Sequence, residues 1–127
     1  MEFCTVINCM DGRVQQPVNN FLQKRFNADN VDTITEAGPN GILAKQEDKA
    51  TIQSIFKRVE ISVNAHKSKA IAIVGHHDCA GNPAPKEEQI RHIRESMSFL
   101  QNHYQNVEIV GLWVDENWEV KEITLAK

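Results

Sequence analysis

The chain has 127 residues, with 14 Lys and Arg against 17 Asp and Glu, a formal net charge of −3. That length supports one hydrophobic core, and 41% hydrophobic with 24% charged residues is ordinary for a globular chain, so a single domain over residues 1–127 is expected. The basic residues are scattered, which excludes the positive face that nucleic-acid phosphates require, and no apolar run approaches the ~20 residues of a membrane span.

Glu2–Asn8 is β-rich and mostly apolar and reads as a first strand, with Cys4 inside it as a small buried hydrophobe. The same N-terminus lacks the charged start and cleavage site of a secretory signal, so the cytoplasm is the default compartment. Cys9-Met-Asp-Gly-Arg leaves that strand, and a helix follows from Pro17 through Val18, Phe21, Leu22, Arg25 and Phe26 to a polar stop at 27–30. Val31–Thr35 is a short second strand, and Ala37-Gly-Pro-Asn-Gly is the densest turn signal in the chain. From about Lys45 to His66 the residues Ile52, Ile55, Phe56, Val59 and Val63 recur at helical spacing.

Lys69–Gly75 is apolar without a breaker, the pattern of a strand covered on both faces. The segment 81–85 is a loop, and Pro85 with Glu87 and Glu88 opens a third helix carrying Ile90, Ile93, Met97, Leu100 and Tyr104. Val107–Val114 is a strand, 115–117 a turn, and Trp118–Leu125 a final strand folding back as a hairpin. The order β-α-β-α-β-α-β-β predicts a three-layer α/β/α fold, with a mostly parallel central sheet and an antiparallel strand at its C-terminal edge.

Ligands of open α/β sheets collect at the carboxyl ends of the strands, and Cys9 and His76 each follow a predicted strand. Three cysteines argue against a closed disulfide framework and leave thiol or metal chemistry available. His76-x-x-Cys79 lets two side chains reach one ion from a tight turn, and Cys9 supplies a third from the neighbouring strand. Two thiolates and an imidazole suit Zn²⁺, which is tetrahedral and keeps an open position in catalytic sites. Asp11, two residues beyond Cys9, either completes the coordination shell or accepts a hydrogen bond from metal-bound water, with the Arg13 fork holding it in the second role. Asp78 fixes the turn or pairs with Arg13, and His77 faces solvent or makes a loop hydrogen bond. His66, His92 and His103 are surface or partly buried helix residues, while Trp113 and Trp118 pack the hairpin. Cys9 lacks the Cys-x₅-Arg loop of a thiol phosphatase, and no glycine-rich dinucleotide fingerprint follows the first strand.

Cys9-x-Asp11-x-Arg13 followed by Gly75-His76-x-x-Cys79 resembles the zinc signature of the β-class carbonic anhydrases, and Ile109-Val-Gly with Asp115 resembles the hairpin that closes their sheet. The likeness runs from about Val6 to Ile123. It implies a zinc held by Cys9, His76 and Cys79, with Asp11 and Arg13 as the catalytic dyad. The implied reaction is reversible hydration of carbon dioxide to bicarbonate, by a homodimer or higher homo-oligomer. Relatives on the same scaffold hydrolyse carbon disulfide or carbonyl sulfide, and a non-catalytic zinc or small-anion binding protein is the third expectation. The chain departs from the family where it has Thr35-Glu36-Ala37-Gly38-Pro39-Asn40 in place of Arg-Asn-Ala-Gly-Asn, and Ala80-Gly81 after Cys79.

Overall fold

A computed structural model describes residues 2–125. Five strands form one sheet in the order β2-β1-β3-β4-β5. β1 (Phe3–Cys9) lies between β2 (Asn30–Glu36) and β3 (Ala70–His76), and β4 (Glu108–Val114) follows β3, all parallel. β5 (Val120–Ile123) is antiparallel to β4. Helix α1 (Gln15–Phe26) covers one face, where Val14, Val18, Leu22 and Phe26 meet Cys4, Val6, Ala72, Val74 and Leu112. On the other face α2 (Pro39–Lys45), α3 (Lys49–Glu60) and α4 (Lys86–His103) set Leu43, Ile55, Val59, Ile93 and Leu100 against Ile7, Ile71, Ile73 and Trp113. β1 and β3 are buried on both sides because both sides are covered. Among the described residues no helix is long and apolar enough to cross a membrane.

The connection leaving β1 runs to β2 over the α1 face, and the one leaving β3 runs to β4 over the opposite face. Right-handed crossovers in opposite directions must use opposite faces, and the crevice between their starting points is the natural ligand position of this architecture.

Several elements differ from the sequence reading. β1 and β3 each run one residue further, because Met10 N–H donates to the Glu36 carbonyl and His77 N–H to the Val114 carbonyl, both at 2.9 Å, and the ladder continues. Cys9 and His76 are therefore the last residues of strands and not the first of loops. α1 starts two residues before Pro17, after a 3₁₀ turn at Gly12–Val14. The expected turn at 37–41 narrows to Gly38, at φ +64°, and Pro39 opens α2 directly. The long helix expected from Lys45 begins instead at Lys49, capped by the Asp48 carboxylate accepting from Thr51 N–H, and closes in a π-helical turn at Ile61–Ala65. The final strand shortens to Val120–Ile123, because Trp118 sits in the turn at φ +61°.

Candidate metal centre

The crevice between β1 and β3 holds Cys9, His76 and Cys79, all buried, with ligand atoms within 4.8 Å of one another. No carboxylate joins this group among the described residues. The two sulfurs are 3.9 Å apart. Two zinc–sulfur bonds of ~2.3 Å at the tetrahedral angle set sulfurs about 3.8 Å apart, so the thiols already stand at ligand spacing. The His76 ring donates from Nδ1 to the His77 carbonyl at 2.7 Å, which leaves Nε2 as the bare nitrogen. That Nε2 is buried and has no hydrogen-bond partner. A buried ring nitrogen without a partner is costly, and coordination to a metal relieves the cost. The donor set therefore fits zinc.

The two thiols are shifted in opposite directions by their contact. The hydrogen bond from Cys79, helped by the Gly38 and Asp11 backbone, holds the Cys9 thiol well below its usual range against burial. The same hydrogen bond and burial push the Cys79 thiol up. Burial opposes charging His76, but the Cys9 sulfur and the His77 carbonyl outweigh it and the ring is raised. By contrast Cys4 lies inside β1, where burial pushes its thiol up to about 11 and leaves it an inert part of the core.

Asp11 follows Cys9 on the way into the 3₁₀ turn, and Arg13 grips it. Arg13 Nη2 donates to Oδ2 at 2.7 Å, Nε to Oδ1 at 3.0 Å, and the Arg13 backbone N–H to Oδ1 at 2.9 Å. The hydrogen bond from Arg13 is the main reason the Asp11 carboxyl is lowered to about 2. Arg13 also reaches Asp78, with Nη1 at 3.3 Å from Oδ2 and Nη2 donating to the backbone carbonyl at 3.1 Å. Asp78 thus both makes the turn, at φ +58°, and pairs with Arg13. Gln15 Nε2 donates to the Cys9 and Asp11 carbonyls at 2.7 and 2.9 Å and fixes the chain between them. Cys9, Met10, Asp11, Ala37, Ala80 and Gly81 line a cleft of about 210 Å³ that opens here.

A buried amide network, missed in the sequence, locks the loop that carries Cys79 to the start of α2 and to α4. Asn40 Nδ2 donates to Gln89 Oε1 at 2.8 Å, Gln89 Nε2 to the Asn82 carbonyl, and Asn82 Nδ2 approaches His92 Nδ1 at 3.0 Å. Ser96 Oγ donates to the Asn40 carbonyl at 3.0 Å. His92 is therefore a buried network member and not a surface or partly buried residue as expected, and burial lowers its pKa. Asn40 and Asn82 read as turn formers because each adjoins glycine and proline; the available signal was Gln89, His92 and Ser96 recurring along one side of α4. His66 and His103 are exposed, as is His77, whose ring stands edge-on to Trp118.

The two loops touch backbone to backbone. A methyl added at Gly81 runs into the Ala37 carbonyl group, and one added at Gly38 would lie 2.7 Å from the Gly81 carbonyl carbon. Gly81→Ala is expected to cost about 1–3 kcal/mol, the range for overpacking a close contact. Urea unfolding of the metal-free chain measures it, and an unchanged midpoint would mean that the loops separate freely.

A family model described as "Putative carbonic anhydrase" matches residues 1–124. Solved structures share the architecture. A tetrameric β-carbonic anhydrase of Sordaria macrospora is 16% identical with a TM-score of 0.61, over 96% of this chain and 80% of that one. The β-carbonic anhydrase CafA of Aspergillus fumigatus is also 16% identical at 0.61, over 99% and 76%. The chain belongs to the β-carbonic anhydrase family. The β-carbonic anhydrase CcaA is similar at 13% identity and a TM-score of 0.55, over 96% and 80% of the two chains. At such identities the structural likeness is one of fold, and no curated protein matches the chain. Within a β-carbonic anhydrase fold, the Cys9–His76–Cys79 group is a candidate metal-binding triad in a carbonic anhydrase-like site.

Proposed function

We propose that the chain binds one Zn²⁺ through Cys9, His76 and Cys79 and catalyses the reversible hydration of carbon dioxide to bicarbonate. The observation that carries the reading is the convergence of two thiols and a partnerless imidazole nitrogen from β1, β3 and the following loop, beside the Asp11–Arg13 pair. Zinc in such a site acts as a Lewis acid that brings the ionisation of its water toward neutral pH. Asp11 stays a carboxylate at any physiological pH, because Arg13 holds its pKa near 2. It accepts a hydrogen bond from the attacking water and turns a lone pair toward the substrate carbon. Arg13 occupies the carboxylate with its fork and so keeps Asp11 out of the ligand set. Met10, Ala37, Ala80 and Gly81 give the cleft an apolar lining suited to a small uncharged molecule. Metal analysis of protein purified without added zinc, with stopped-flow hydration, tests the reading: about one zinc per chain and rapid turnover are expected. Zinc without turnover would leave a binding protein. Homo-oligomeric assembly and a cytoplasmic location belong to the same reading, and light scattering on the zinc form measures the first.

Zinc affinity should rise with pH. Coordination requires two thiolates and a neutral imidazole, whereas in the metal-free site the Cys79 thiol and the His76 ring both hold their protons to higher pH than usual. Each proton displaced makes the affinity climb about tenfold per pH unit, so competition with a chromophoric chelator between about pH 6 and 8 should give a slope of at least one decade per unit. A flat profile would contradict the raised Cys79 thiol and His76 ring.

A further inference from the structure

Trp118 does more than the hairpin packing its sequence position suggests. It precedes β5 at φ +61°, a left-handed conformation that a bulky side chain rarely adopts. The turn is tightly specified: Trp118 N–H donates to the Asp115 carbonyl at 2.9 Å, and the Asp115 carboxylate accepts from the N–H groups of Asn117 and Glu119, both at 2.9 Å. Backbone strain of this kind persists where the surroundings hold it and concentrates at functional positions.

What the turn delivers is the indole. It packs against the core on the α1 face, and the Arg13 guanidinium carbon lies 4.5 Å from the ring centroid. The His76 and His77 rings stand 6.4 and 6.3 Å away. All the hydrogen bonds of Arg13 run through its nitrogens to Asp11 and Asp78. Its side chain is 46% exposed, and exposed ion pairs alone hold a long side chain loosely. An aromatic face supplies the missing restraint, attracting the cation and fixing the plane in which its nitrogens lie.

The geometry points to Trp118 as the positioning residue of the Asp11–Arg13 pair: the indole holds the guanidinium, and the guanidinium holds Asp11 beside the Cys9–His76–Cys79 triad. The inference rests on the proposed role of Asp11 in orienting the attacking water. It assigns the hairpin a part in the site although no residue of β4 or β5 belongs to the triad.

The test is read on the metal-free chain, by NMR exchange of the Arg13 Nε proton with water. Trp118→Leu keeps an apolar side chain against α1 but has no aromatic face, and should speed that exchange about tenfold; Trp118→Phe should stay near wild type. Arg25, whose guanidinium lies 4.6 Å from the Phe26 ring, is the internal reference and should not change. Unaltered Arg13 exchange in Trp118→Leu overturns the inference, as does equal acceleration at Arg25 or in Trp118→Phe. The zinc-loaded variants separate this outcome from the wider reading. Lost Arg13 protection in a chain whose wild type hydrates no carbon dioxide sinks the activity and keeps the clamp, while unaltered exchange in an active enzyme sinks the clamp alone.

Discussion

Serine in place of Cys79 is expected to leave a folded chain that does not retain the zinc proposed for this site. The Cys79 sulfur stands 3.9 Å from that of Cys9, and removing it leaves one thiol and one imidazole, too few to enclose the ion. A neutral hydroxyl is a poor substitute for a thiolate. Losing even an outer partner of a metal ligand costs about 10–100-fold in affinity, and losing a ligand should cost on the order of a thousandfold. The fold survives, because Cys79 lies in a loop held independently by the Asn40–Gln89–Asn82 network and the change replaces one atom. Elemental analysis and chelator competition measure the loss, and circular dichroism checks the fold. One tightly held zinc per chain in Cys79→Ser would remove the basis of the site.

Asp11→Asn separates chemistry from metal binding. The amide matches the carboxylate in size but carries no charge, so it neither accepts the full Arg13 fork nor orients water with a negative oxygen. Zinc content should be unchanged, since the triad does not include Asp11. Stability should change little, because the pair is partly exposed and such pairs contribute little. Turnover should fall about 10²–10³-fold, the usual cost of losing one preorganised hydrogen-bonding group at a reacting centre. Stopped-flow kinetics on zinc-replete protein reads the effect as lowered kcat with KM less affected. A variant within about threefold of wild type would exclude Asp11 from the reaction.

Much of this could be read before any coordinates, and the reasons are local. Strand β3 is a continuous apolar run and β1 a mostly apolar one, and helices α1, α3 and α4 carry stripes at helical spacing, so local pattern and helix-start residues located them. Helix α2 escaped because its seven residues open on Pro39-Asn40-Gly41 directly after Gly38, a composition that signals a turn. The amide network escaped for a related reason. An asparagine beside a glycine reads the same whether its side chain faces water or closes a buried hydrogen bond forty or more residues away.

By itself the sequence determined the alternation of strands and helices, the choice of Cys9, His76 and Cys79 as candidate metal ligands, and the pairing partners available to Asp11, because each depends on residue type and short-range spacing. Only the tertiary structure decided that the sulfurs stand at ligand distance, that His76 presents Nε2, that His92 is buried, and that Trp118 lies across Arg13. Those are relations between residues brought together by sheet order and loop contact, and distances of that kind have no period along the chain.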